Sequence, residues 1–473
     1  IATHIILIMS LGWYLITNLQ WYNYKLDRVV FKHHKWQWHL TYFLSPIVLF
    51  YLIPEPYFSA YFFIIYLTSF VLWNRKLTNP LVLTARVKRF LAILLVLTFI
   101  AIGICLMYED CMNKIIFIPL ILTYIISTIL EKLLFISFKN RAKQRHRSIV
   151  GLRTVAITAS FGKTSIKNFL YHVLKSRFKV YKTPRSVNTI AGLVLDVNRD
   201  LPLDTQIYIA EAGARIKGDI EEIALFLEPQ ICVIGSVGEQ HIEYFKTLNN
   251  IIHTKMELLK SPRMEMGFVH ESVPIKDYPK ITKFPNNLNI LKSTLDGIWF
   301  EVEVGGRVEE FYAPILGSFN AINLTAVILV AYNLGMSILE IKVALTTIPQ
   351  VEHRLQKIEQ NGKVILDDSF NGNLEGMLEA VKISSTYDGR RVIITPGLVE
   401  ATDTANIILA KSIDETFDLI IVTGSLNTHI FTSNIHKDKL IVLKDKSQMQ
   451  TILASSTRVG DLILFANDAP NFI

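Results

Sequence analysis

The chain has 473 residues, 51% of them hydrophobic and 19% charged, against about 25% charged in an average soluble domain. Disorder and fibrous structure are excluded by 22 Gly and 16 Pro spread among large apolar residues, and part of the chain is expected in lipid. Of the formal +8, residues 1–149 hold 16 Lys+Arg and 5 Asp+Glu, a net of +11, which leaves +8 − 11 = −3 for residues 150–473; a basic excess confined to the apolar third belongs beside a membrane and argues against nucleic acid as a partner.

Five apolar stretches, about 1–19, 40–53, 57–73, 90–108 and 115–138, come first. Spanning a bilayer takes about 20 helical residues. The second and third are shorter and separated by Pro54-Glu55-Pro56, so they form a helical hairpin or a re-entrant element. Lys25, Arg28, Lys32 and Lys35 follow the first stretch, Arg75, Lys76, Arg86, Lys88 and Arg89 follow the third, and Lys139 to Arg147 follow the fifth. The 54–56 turn has no Lys or Arg and the 109–114 turn has Lys114 alone. The positive-inside rule is satisfied by five spans with the N-terminus outside, placing residues 139–473 on the cytoplasmic side of the membrane. Glu131 interrupts the fifth stretch and is expected to face other helices or to snorkel. Cys105, Cys111 and Cys232 lack metal-ligand spacing and are expected to be packing residues rather than a disulfide framework. A chain opening at Ile1 and stopping at Ile473 is expected to be a piece of a longer one, without a cleavable signal peptide.

From Thr154 the pattern alternates β-branched runs with helix-length amphipathic segments. Strands are predicted at 154–158, 206–212, 231–237, 363–368, 391–395, 419–424 and 440–443, an α/β pattern with mainly parallel sheets. Ligands in such folds gather at the carboxyl ends of strands. The first such end reads Ala159-Ser160-Phe161-Gly162-Lys163-Thr164-Ser165 and leads into a helix. A Gly-Lys-hydroxyl step there surrounds phosphate oxygens with backbone N–H groups, brings Lys163 to the β/γ-phosphates and Thr164 to Mg²⁺. The general phosphate-loop pattern wants glycine where Ile157 stands, so an ordinary strand-to-helix turn with a solvated lysine stays open on this motif alone.

Spacing of later motifs separates these readings. Residues 152 to about 425 resemble the ATP-dependent Mur ligase family, in particular its D-alanyl-D-alanine-adding branch. That family's loop, Gly-[Thr/Ser]-x-Gly-Lys-[Thr/Ser], aligns with residues 159–164 except for Ala159, which needs a negative φ. The resemblance places Ser160, Gly162, Lys163, Thr164 and Ser165 on the phosphates and Asn188-Thr189 near the γ-phosphate. Glu211, ending the 206–212 strand, would join Thr164 on one Mg²⁺, since a hard cation wants oxygen ligands. His241, in His241-Ile242-Glu243, and Lys255, as a carbamate, would hold a second Mg²⁺. Asn320, in the 317–323 segment, would recognise adenine, and Arg354 would grip phosphate oxygens. Asp367-Asp368-Ser369-Phe370-Asn371-Gly372-Asn373 resembles that branch's signature, giving Asp368 and Asn371 nucleotide-contacting and closure roles. Catalytic parts thus fall on Lys163, His241, Lys255 and Asp368.

Composition and loop charges give a membrane helical region over 1–148; the resemblance implies an ATP-binding α/β Mur ligase-like domain over 149–350 and a Rossmann-like domain over 351–473, hinged near residues 349–352. It implies an ADP-forming amide ligase of peptidoglycan precursor synthesis at the bacterial inner membrane. ATP and two Mg²⁺ would serve it, and UDP-N-acetylmuramoyl-tripeptide and D-alanyl-D-alanine would be substrates, with membrane lipid as a further partner. The family's N-terminal uridine-nucleotide domain has no counterpart, and Pro396 to Ala401 and Ala466-Asn467-Asp468 depart from its amine-side motifs. A ligase for another polymer, of poly-γ-glutamate type, and a non-catalytic ATP-binding scaffold are the alternatives.

Overall fold

A computed structural model describes the chain apart from residues 109, 110, 112–114, 239–241, 276–278, 286, 370–372, 400 and 468–473. It divides into two compact units, Ile1–Asn140 and Arg141–Ile473.

Helices Ala2–Trp21, Tyr57–Arg75 and Ala85–Cys105 of the first unit, and helix Ile118–Ser148, which begins in it, are long and apolar enough to cross a membrane. The expected second span is a helical stretch from Gln37 to Leu52 with a π-helical segment at Leu40–Leu44. Those 16 positions, 37 to 52, rise about 24 Å, short of a hydrocarbon core of about 30 Å. Hydrogen bonds nevertheless place the ends of the first and third long stretches together. Trp21 Nε1 donates to Asn79 O at 2.9 Å, and Gln20 exchanges two 2.9 Å bonds with the Val82 backbone. The connections after residues 21 and 75 therefore lie at one end of the bundle, as the loop charges predict, and the 37–52 and 57–75 helices form an antiparallel hairpin. Thr3 Oγ1 meets Ser59 Oγ at 2.9 Å at the other end. An aromatic core of Tyr14, Phe58, Phe62, Tyr66, Phe70 and Trp73 fills the bundle. Glu131 is paired with Arg89 of the preceding helix at 2.7 Å, so it faces protein.

One expectation is corrected here. Cys105 and Cys111 are joined in a disulfide. The spacing fits no metal motif, but a six-residue separation just after a helix brings the two Cα atoms to 4.9 Å, within bridging range. Cys232 is a buried packing residue as expected, its thiol pushed up to about 12 by burial.

The second unit holds two six-stranded sheets. The first comprises β1 (Arg153–Thr158), β2 (Val180–Lys182), β3 (Ile207–Glu211), β4 (Ile231–Ile234), β5 (Met266–His270) and β6 (Ile281–Phe284). Their order is β2-β3-β1-β4-β5-β6, all parallel. A three-stranded antiparallel sheet follows, β7 (Asn289–Thr294), β8 (Gly297–Val304) and β9 (Arg307–Ala313). The second large sheet contains β10 (Gln356–Gln360), β11 (Lys363–Asp368), β12 (Arg391–Thr395), β13 (Leu419–Thr423), β14 (Leu440–Leu443) and β15 (Leu462–Ala466), ordered β10-β11-β15-β12-β13-β14. Only β10 runs antiparallel. Helix Lys163–Leu174 packs with the almost wholly buried helix Phe319–Asn333 in the core beside the first sheet. Both sheets thus present carboxyl strand ends, the places where such folds hold ligands.

Candidate functional site

The loop after β1 is shaped by three glycines and one alanine. Ala159 is fully buried with negative φ, as its substitution for glycine requires. A Cβ at Gly235 would come within 2.9 Å of the Ala159 methyl, so that methyl fills space that Gly235 leaves open after β4. Gly162 caps the following helix at φ 82°, and a Cβ on it would strike Asn323 Oδ1 at 2.5 Å. Gly238 is in turn covered by the Phe161 ring. Ser160 N–H donates to Ser236 O at 2.8 Å and Ser160 Oγ to Gly238 O at 3.0 Å, tying the loop to the end of β4. Lys163, first in its helix, donates to Ala159 O at 2.5 Å and Ser160 O at 3.0 Å. Burial pushes its ammonium down to about 8, with Glu211 opposing and Arg354 reinforcing the shift.

Charge converges on this loop. Glu211 ends β3 in register with Ile157 of β1 and is 1% exposed. Lys255, buried on helix Leu248–Met256, has its amine lowered to about 7 by burial and by the Lys163 charge. Arg354 is lowered by burial and feels both Asp368 and Glu211. Lys163, Glu211, Lys255, Arg354 and Asp368 therefore form one electrostatically connected group. Asn188 packs on Gly213, two residues beyond Glu211: a Cβ on Gly213 would strike its side chain at 2.8 Å, and Gly213 N–H donates to Asn188 O. Thr164 and Ser165 sit in the first turn after Lys163. His241 and Asn371 lie outside the described residues.

Asn320 is buried, with its amide donating to Leu316 O at 2.7 Å and its Oδ1 accepting from Asn323 at 3.1 Å. Asn323, the last residue of the 317–323 segment, also packs against Gly162. A residue that sequence reasoning missed is Lys167. One turn beyond Lys163, it is 1% exposed and 2.8 Å from Glu211 Oε1, and it donates to Thr183 O at 2.9 Å and to Arg185 O. A lysine on the helix face that carries Ile166, Leu170 and Leu174 was its signal: an apolar face does not bury an ammonium without an anion.

At the second sheet, the two acids ending β11 hold the segment that carries Arg354. His353 Nδ1 lies 2.7 Å from Asp367 Oδ2, and Leu355 N–H donates to Asp368 Oδ1 at 3.1 Å. Burial raises the Asp368 carboxyl to about 7, against the pull of Arg354 and of the Leu355 N–H. Asn467 extends the site, its N–H donating to Asp368 O and its amide to Gly397 O, both at 2.9 Å.

Among the described residues no cluster of three His, Cys, Asp or Glu gathers for a metal. The available hard donors are the Glu211 carboxylate and the Thr164 hydroxyl, a set that suits Mg²⁺ shared with phosphate oxygens. Among the described residues Thr158 Oγ1, at the end of β1, is buried without a hydrogen bond, while Glu211 Oε1 meets the Lys167 ammonium at 2.8 Å, so polar capacity remains at the β1 end beside a carboxylate already held in place.

Residues 157–331 match the Mur ligase middle domain. UDP-N-acetylmuramoyl-tripeptide–D-alanyl-D-alanine ligase of Bacillus subtilis (strain 168) is 24% identical over 345 residues, covering 67% of this chain and 73% of that protein. The protein of the same name from Borreliella burgdorferi is 29% identical over 58% of this chain and 62% of its own length. Among solved structures, MurF ligase from Thermotoga maritima in complex with ADP superposes with a TM-score of 0.60 at 22% identity, over 70% of this chain and 79% of that one.

Proposed function

We propose that this chain, whose residues 157–331 match the Mur ligase middle domain, is an ATP-dependent ligase that joins D-alanyl-D-alanine to a UDP-N-acetylmuramoyl-tripeptide through an acyl phosphate. The observation that carries the proposal is the connected group of Lys163, Glu211, Lys255, Arg354 and Asp368 at the carboxyl ends of two sheets. Phosphoryl transfer to a carboxylate asks for positioning and charge neutralisation more than for covalent help. Lys163 turns from the loop carbonyls to the terminal phosphates, and the helix N-terminus behind it adds its partial positive charge. Arg354 supplies a second, fork-shaped cation from the opposite sheet. Thr164 and Glu211 would hold one Mg²⁺, and Lys255, as a carbamate, would hold a second with His241. Bound Mg²⁺ would neutralise charge growing on the transferred group. A Lys255 amine lowered to about 7 holds a sizeable neutral fraction near neutral pH, the form that reacts with carbon dioxide.

Residues 149–350 would carry ATP, and residues 351–473 would close over them to exclude water from the acyl phosphate. The helices of the first 140 residues would set the ligase domain on the cytoplasmic face of the inner membrane. The Cys105–Cys111 bridge supports that orientation, since the loop charges put it on the outer side, where disulfides persist.

The test is phosphate release by the full chain in detergent with UDP-N-acetylmuramoyl-tripeptide, with and without D-alanyl-D-alanine. Release that requires the dipeptide and disappears in Lys163→Ala supports the proposal. Release only with another amine points to a ligase for a different polymer, and nucleotide binding without release under any amine points to a scaffold.

A further inference from the structure

The helical unit contains a cavity of about 920 Å³ at the end where the basic connections lie. Its size is at the top of the roughly 300–1,000 Å³ that ligand pockets occupy. Three helix termini build it: Trp21 closes Ala2–Trp21, Trp38 opens the 37–52 stretch, and Trp73 stands near the end of Leu67–Arg75. Tryptophans at such termini mark the headgroup level of a bilayer.

Among the described residues the lining carries His34, Lys35 and Lys76 and no Asp or Glu. Lys35 Nζ sits 4.6 Å over the Trp38 ring, which fixes its ammonium at the wall. Lys76 caps its helix and is exposed. One side of the cavity is apolar and open, with Ile64, Ile65 and Leu72 exposed by 72%, 61% and 50%. Uncompensated ammonium groups at the headgroup level attract a phosphate, and an apolar flank open to lipid takes a hydrocarbon tail. A lone inorganic anion would leave that flank and most of the volume unused.

We propose that this cavity binds the phosphate headgroup of an anionic lipid, whose tail lies along Ile64, Ile65 and Leu72. The site is separate from the ligase residues and stands whether or not that activity is found.

The probes are phosphatidic acid and a diacylglycerol with the same tails, added to the full chain in detergent, and retained lipid is read by native mass spectrometry. Phosphatidic acid should be retained at least tenfold better than the diacylglycerol. Lys35→Gln with Lys76→Gln should erase that preference, Lys35→Arg with Lys76→Arg should restore it, and Lys88→Gln, outside the cavity, should leave it intact. Equal retention of both lipids, or an unchanged preference in the double glutamine variant, would overturn the proposal. Displacement of phosphatidic acid by millimolar inorganic phosphate would reassign the cavity to a free anion, whereas resistance to it supports a lipid.

Discussion

Asp368→Asn keeps the size of the side chain and an oxygen to accept the Leu355 N–H, but removes a carboxyl that burial has raised from 3.8 to about 7. A group whose folded value lies above its unfolded value favours the folded state fully below the unfolded value, and loses that contribution as pH rises through the folded one. The window here runs from about 4 to about 7. At about 1.36 kcal/mol per pH unit, the interval from 3.8 to about 7 corresponds to about 4 kcal/mol. Asparagine does not titrate, so the variant escapes the loss. Urea unfolding of both proteins in detergent, followed by fluorescence at pH 4 to 8, should give equal stabilities near pH 4. By pH 8 the variant should be about 4 kcal/mol more stable while turnover falls, because Arg354 has lost its facing charge. A difference that stays flat with pH, or a variant less stable at pH 8, would refute the argument, because it would mean that Arg354 and the Leu355 N–H fully compensate the buried carboxylate.

Lys167→Met leaves Glu211 as a buried, unpaired carboxylate and should cost about 3–5 kcal/mol in urea unfolding, with Glu211→Gln in the same chain recovering most of it; a loss under about 1 kcal/mol would show the pair to be solvated. Gly235→Ala would push a methyl against Ala159 at 2.9 Å and should cost about 1–3 kcal/mol, relieved by Ala159→Gly; unfolding midpoints of the three variants check it. Turnover should rise through pH 7 and respond to added bicarbonate if the Lys255 amine must lose its proton to be modified, and an initial-rate pH profile at fixed bicarbonate reads this. In oriented membrane vesicles, a maleimide should label Cys105 and Cys111 only after reduction and only from the face opposite residues 139–147; labelling from the basic face would reverse the orientation.

Local pattern was enough where local forces decide. β-branched runs bounded by turns became β1, β3, β4, β11, β12, β13 and β14, and the basic connections matched the ends that hydrogen bonds bring together. Elements whose form depends on distant pairing escaped notice. β15 is an apolar run near the chain end, but it is a strand because β11 and β12 flank it on both sides. The β8–β9 hairpin turns on Gly305-Gly306, both at positive φ. Motif spacing singled out Lys163, Glu211, Lys255, Arg354 and Asp368: Glu211 and Asp368 end strands, Lys163 opens a helix, Arg354 precedes β10, and Lys255 lies in the last turn of its helix. It gave no sign of Lys167, whose importance arises from the Glu211 carboxylate that a second element sets beside it.

The same distinction changes how the two acids ending β11 are understood. As a motif they suggest nucleotide contact; in the structure their first task is to hold a backbone. His353 and Leu355 both adopt left-handed conformations, at φ 60° and 54°, each costing about 1–3 kcal/mol for a residue other than glycine. Asp367 secures the first and Asp368 the second, and the residue between them is Arg354. The Arg354 guanidinium, carried between these two held positions, feels the charge of Glu211 at the end of β3 and acts on that of Lys163 at the start of the helix after β1. A cation placed in this way is set before any phosphate arrives, so less ordering is required when charge is transferred. Substitution at Asp367 would on this reasoning reach catalysis through Arg354, lowering kcat more than it raises KM.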